Sequence, residues 1–317
     1  MEHILTHISF FLLFFGTLFS WINLIYRNRN LNNLGKINIL IALACITAFF
    51  LIRWFHSNHL PLSNLYESFM FLSWNLSLIY IFFNRKDPND WLSAITALGA
   101  TLISGFAILG IPKEMQRFTM LVPALQSHWL MMHVSTMLLS YSILLCGSLL
   151  AITLLVIASK KDSNLLTFKE YEYSFIKLFL PIPNKDNYSY QKLVNYSKNI
   201  HSLLFINSRK EELIEQLDYS SSYTIRLGFL FLTIGIISGA VWANETWGSY
   251  WSWDPKETWA FITWLIYAIY LHTRITKDWQ GKISAIVAAL GSFSVWICYL
   301  GINLSGIGLH SYGWLIN

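Results

Sequence analysis

Long apolar runs separated by short polar ones set the pattern of the chain. Eight stretches, at about residues 5–26, 37–52, 66–83, 92–110, 133–158, 223–241, 258–276 and 283–303, carry few charges. All but one approach the ~20 residues that a helix needs to cross a bilayer core. The run at 37–52 is short and is expected to extend through Arg53 and Trp54. The pattern predicts an all-α fold, a polytopic transmembrane helical bundle of about eight spans forming one domain over residues 1–317. Two segments interrupt it. Residues 159–222 are polar and rich in Lys, Asn and Ser, and read as a loop that is partly helical around Ser208–Leu217. Residues 242–259 are aromatic and read as a shaped loop.

Composition agrees with this reading. The chain is 55% hydrophobic and 12% charged. Soluble domains carry about 25% charge, so a water-soluble globule is excluded. The first run has Glu2 ahead of it and no small-residue cleavage site, so a retained span is expected. Cys45, Cys146 and Cys298 each sit in an apolar run and form no CxxC pair, which argues against a disulfide framework.

The net charge is +5, but its distribution says more than its sum. Of the 22 Lys and Arg, 18 fall in alternate polar segments: around 27–36, 85–86, 160–226 and 274–282. The other segments hold only Arg53, Lys113, Arg117 and Lys256. Basic residues mark the cytoplasmic or stromal face. Eight spans then put both termini on the opposite, periplasmic or lumenal side. No nucleic-acid partner is expected.

Candidate chemistry gathers on that outer side. Trp242, Trp247, Trp251, Trp253 and Trp259 lie within eighteen residues, together with Gly248, Asp254 and Pro255. Aromatic residues collect at membrane interfaces as belts, and that reading stays open. A continuous, bent set of indoles also suits a platform for a large flat apolar ligand. His133 opens the fifth run and His310 follows the eighth, both at the depth of the tryptophans. Two imidazoles beside an aromatic platform suit the axial positions of a haem iron. His272 lies 13 residues beyond Trp259, about 20 Å further into the membrane. Ionisable groups at that depth suggest function, although a side chain reaching back to the inner interface is the alternative. His3, His7, His56, His59, His128 and His201 read as solvated or interfacial. Asp254 followed by Pro255 reads as a helix N-cap and first-position proline.

These residues carry a resemblance. The stretch WGSYWSWDPKETWAFITWLIYAIYLHTR at 247–274 resembles the tryptophan-rich signature of haem-handling cytochrome c biogenesis factors of the CcsA/ResC type. LSNLYESFMFLSW at 62–74, LQSHWLMMHVSTMLLSY at 125–141 and GINLSGIGLHSYGW at 301–314 agree with it. The likeness covers most of the transmembrane chain and is weakest at 159–222 and in the first run. It implies that His133 and His310 ligate haem iron at the outer site. It implies that Trp242, Trp247, Trp251, Trp253, Asp254 and Trp259 belong to the haem-binding segment, and that His272 is a transient ligand for haem arriving from the inner side. Haem b would be a transported substrate, presented for covalent attachment to apocytochromes c. The implied partners are a separate CcsB/ResB-type membrane protein, the apocytochromes and a thiol-reducing pathway. The long Lys/Asn-rich segment resembles plastid-encoded members, which implies a thylakoid location. A haem exporter without a role in ligation is the alternative. No nucleophile or acid–base pair is evident, so any catalysis would rest on proximity.

Overall fold

The computed structural model describes residues 2–26, 28–57, 59–86, 90–117, 127–159 and 187–305. The described residues are helical, without strands. The helices are α1 Glu2–Tyr26, α2 Arg29–Ser57, α3 Leu65–Lys86 and α4 Asp90–Gly105, continued by a π turn Phe106–Gly110. They are followed by α5 His128–Ser159, α6 Asn187–Trp247, α7 Pro255–Thr276 and α8 Lys282–Trp296. A π turn Ile297–Gly301 then leads into the short α9 Ile302–Ser305.

Seven of these helices contain a stretch long and apolar enough to cross a membrane: α1, α2, α3, α4 with its π turn, α5, the Arg209–Trp247 part of α6, and α8 through Leu304. The eighth expected span is α7. Its 22 residues reach about 33 Å. Lys256, Glu257, Arg274 and four threonines make it less apolar than the others. The second run is not short, since α2 extends to Ser57. Much of the expected loop at 159–222 is helix, because α6 begins at Asn187.

In α1, burial is inverted relative to a water-soluble protein. α1 buries Thr6, Ser9, Leu13, Gly16, Thr17, Ser20 and Asn23. It exposes Ile4, Ile8, Phe11, Phe14, Phe15, Leu18 and Ile25. The buried set recurs every three or four residues and forms one face. Such a stripe lets backbones approach closely in lipid, where apolar side chains gain nothing from facing inward. Hydroxyl groups then bond across helices: Thr17 Oγ1 lies 2.6 Å from Thr101 Oγ1 on α4. Trp74 Nε1 donates to Thr47 Oγ1 at 2.9 Å, and Trp264 Nε1 to Thr233 Oγ1 at 3.0 Å.

Ion pairs tie both ends of the bundle. Near the start of α3, Arg53 Nε lies 2.8 Å from Glu67 Oε1, and both side chains are buried. Arg53 also donates to the Gln116 carbonyl at 2.8 Å and packs on the rings of Phe49 and Tyr66. At the opposite end of α7, Arg274 grips Asp218 of α6 through both carboxylate oxygens, at 2.9 and 2.5 Å. Arg53 is buried and Lys256 partly so, which leaves Lys113 and Arg117 as the exposed pair among the four basic residues of the sparsely charged face.

Candidate haem-binding cavity

Small residues bring α5 and α6 together. A Cβ added at Gly147 would meet Ile225 at 2.8 Å, one at Gly228 would meet Leu144 at 2.8 Å, and one at Gly239 would meet the His133 ring at 2.5 Å. Around Gly239, residues at the start of α3, in α5 and at the start of α7 meet the last turns of α6, the second π turn and α9, and a cavity of about 360 Å³ opens. That lies within the ~300–1,000 Å³ of small-molecule sites. Its apolar walls include Leu130, Val134, Met137, Ile236 and Ala260.

His133 lines this cavity. Its Nδ1 lies 2.7 Å from the Gly235 carbonyl oxygen. A carbonyl oxygen only accepts, so Nδ1 carries the proton, and in the neutral ring the lone pair is on Nε2. Metal-binding imidazoles are commonly oriented in this way. Trp242 lies almost parallel to the imidazole, 11° between planes and 6.3 Å between centroids. Trp242 is buried, and Trp247 packs edge-on against it at 4.7 Å. These two indoles sit in the last turns of α6, not in a loop.

The connection to α7 is bent at Gly248, whose φ of 73° suits glycine. Trp251 lines the cavity. Trp253 packs edge-on against Trp251 at 5.9 Å and is 68% exposed. Its φ of 58° is left-handed, a conformation that costs a bulky residue about 1–2 kcal/mol. The strain is held by the cap that follows. Asp254 accepts from the Lys256 amide, and Glu257 reaches back to the Asp254 and Ser252 amides. This capping box starts α7, and Asp254 itself stays outside the cavity lining. Trp259 packs into the core of the bundle.

The other two sequence candidates fall elsewhere. His272 is exposed near the C-terminal end of α7, two residues from Arg274 and at the end away from the cavity. His310 lies outside the described residues.

Sequence reasoning missed the polar groups that share the cavity: Tyr141, Lys256, Cys298, Tyr299 and Asn303. Lys256 Nζ donates to Asn303 Oδ1 at 2.6 Å, and the Tyr299 hydroxyl lies 2.7 Å from Ser68 Oγ. Tyr141 Oη lies 3.3 Å from Cys298 Sγ. The π turn, with its i→i+5 bond from the Ile302 amide to the Ile297 carbonyl, shifts the residues that follow it, Asn303 among them, off the register of a continuous α-helix.

Fold and cavity define a polytopic helical membrane protein with an aromatic, histidine-bearing ligand pocket at one end. The chain belongs to the cytochrome c assembly protein family, whose model matches residues 62–310. It is 57% identical over 324 residues to the cytochrome c biogenesis protein CcsA of Marchantia polymorpha, an alignment covering all of this chain and 98% of the relative. It is 55% identical over 319 residues to the CcsA of Cycas taitungensis, with the same coverage. Among solved structures, the cytochrome c haem lyase CcmF shares the fold, with a TM-score of 0.56 at 18% identity. That alignment covers 96% of this chain and 49% of CcmF. The family assigns the chain a role in c-type cytochrome maturation and, with it, haem handling. Plant relatives and membrane-spanning helices support a multi-pass protein of a chloroplast membrane.

Proposed function

We propose that the chain receives haem b, holds it in the cavity beside His133, and presents it for covalent attachment to apocytochromes c. The observation that carries this reading is the oriented imidazole. The Gly235 carbonyl fixes the His133 tautomer with the lone pair on Nε2, inside a cavity walled by Trp242 and Trp251. Haem is the substrate, and the chain's own groups do four things. Trp242 buttresses the ring of His133. His133 Nε2 holds the iron on one face, and His310 is the proposed ligand on the other. The apolar wall of α5 and α6 excludes water. Trp251 and Trp253 leave one edge of the macrocycle facing the aqueous side.

Thioether formation then consumes no oxidant. Each cysteine thiol of the apocytochrome adds across a haem vinyl group, sulfur to one carbon and hydrogen to the other. The thiols must be reduced beforehand, which assigns a place to a thiol-reducing pathway. The chain contributes proximity and orientation. It is the haem-presenting subunit of a synthase, working with a CcsB/ResB-type membrane partner in the thylakoid. The cavity end faces the lumen together with the termini, and the basic face is stromal. His272, near the stromal end, takes the incoming haem before it reaches the cavity.

The test is the absorption spectrum of the complex purified from membranes. His133→Ala should lose most of the Soret band, and added imidazole should restore it. Full haem content and full cytochrome c assembly in His133→Ala would remove the ligand assignment.

A further inference from the structure

We infer that Lys256, backed by Asn303, is the carboxylate-docking point of the cavity, taking a haem propionate and thereby fixing which edge of the macrocycle faces outward. The inference rests on the cavity being the haem site. Lys256 is the cationic side chain among the described residues lining it. The two carboxylates nearest in sequence both hold the start of α7: Asp254 accepts from the Lys256 amide, and Glu257, which lines the cavity as well, accepts from Ser252 and Asp254. The Lys256 amine donates to the neutral Asn303 oxygen, itself set in place by Asn303 Nδ2 donating to the Tyr299 carbonyl.

The π turn supplies a second, independent observation. π turns recur at functional sites because the widened turn redirects side chains. Here Cys298 and Tyr299 lie in the turn and Asn303 just after it; all three line the cavity, where the Tyr299 and Ser68 hydroxyls stand near each other. The α7–α8 side of the cavity therefore carries a cation and hydroxyl donors, and the α5–α6 side carries His133 and Trp242. A porphyrin has the matching asymmetry. Its propionates are anionic and its vinyl edge is apolar. Docking a propionate on Lys256 orients the macrocycle, because an ammonium in an enclosed apolar site favours a carboxylate over a vinyl group.

The test compares haem with haem dimethyl ester, in which both propionates are neutral. Binding to the purified chain–partner complex is read from the Soret band. Wild type should bind haem about 10- to 100-fold more tightly than the ester, the worth of one charge-assisted hydrogen bond. Lys256→Gln should bring haem down to the level of the ester and leave the ester unchanged. Lys256→Arg should recover part of the difference, and Lys113→Gln, at an exposed position outside the cavity, should leave both ligands as in wild type. Equal affinity of wild type for haem and ester overturns the inference while leaving haem binding intact. Equal weakening of both ligands in Lys256→Gln overturns it too. A wild-type complex that binds neither ligand overturns the haem reading as well.

Discussion

Gly239→Ala tests the site without touching a ligand. The new Cβ would stand 2.5 Å from His133 Cε1 and Nδ1 and 3.2 Å from Cγ, where ordinary contact begins at 3.4 Å. The ring must therefore withdraw by about 0.9 Å, the difference between 3.4 and 2.5 Å. Withdrawal along the Nδ1–oxygen line would stretch the 2.7 Å bond to Gly235 to as much as 3.6 Å, beyond hydrogen-bond range. Overpacking costs about 1–3 kcal/mol, and losing the bond costs about 0.5–1.5 kcal/mol. Replacing glycine in a helix returns roughly 1 kcal/mol, so the chain still folds. The imidazole, however, is displaced and its tautomer is no longer fixed. A ligand penalty of about 1–3 kcal/mol predicts haem binding weakened about 5- to 150-fold. The assay is Soret absorbance per complex, with and without imidazole. Gly239→Ala should be haem-poor and rescued by imidazole, as His133→Ala should be. Wild-type haem content with no response to imidazole would defeat this account, because it would mean that His133 needs neither its position nor its partner.

Three further outcomes are expected. Arg53→Ala strands a buried Glu67 carboxylate and should destabilise the protein by about 3–5 kcal/mol; thermal unfolding in detergent should show this, with most of the loss recovered in Arg53→Met/Glu67→Leu, and an unchanged midpoint would mean that the pair is not buried. Trp253→Cys, at a 68% exposed position, should react with an impermeant maleimide from the lumenal side of thylakoids; reaction from the stroma would invert the topology. His272→Ala should lower haem loading of the distant cavity without changing the affinity of haem added from outside, and unchanged loading would reduce His272 to an interfacial residue.

The helical class and its spans were legible because apolar runs of about membrane length admit few other readings. The start of α6 was not. Residues 187–222 are rich in Lys, Asn, Ser and Glu, and that polar composition reads as a connector before it reads as helix. At the cavity, His133 and the tryptophans stood out by type and crowding, and the N-cap was readable from Asp254-Pro255, while the reach of Glu257 that completes a capping box was not. The tautomer of His133 was not readable, because it depends on the carbonyl of Gly235, 102 residues away. Lys256 was visible only as a basic residue on the sparsely charged face. That its amine turns into a cavity toward Asn303, 47 residues on, follows from the packing of α7 against the π turn that leads into α9.

The length of α6 has a mechanical consequence. It runs for 61 residues, about 92 Å, roughly three times the hydrocarbon thickness of a bilayer, with no proline to hinge it. A rod of that kind is stiff along its axis. A slide of about 1 Å relative to α5, applied anywhere along the shaft, arrives undiminished at the Gly235 oxygen and is enough to uncouple it from the imidazole. The hold of Gly235 on the His133 ring is thereby geared to a shaft much longer than a bilayer is thick.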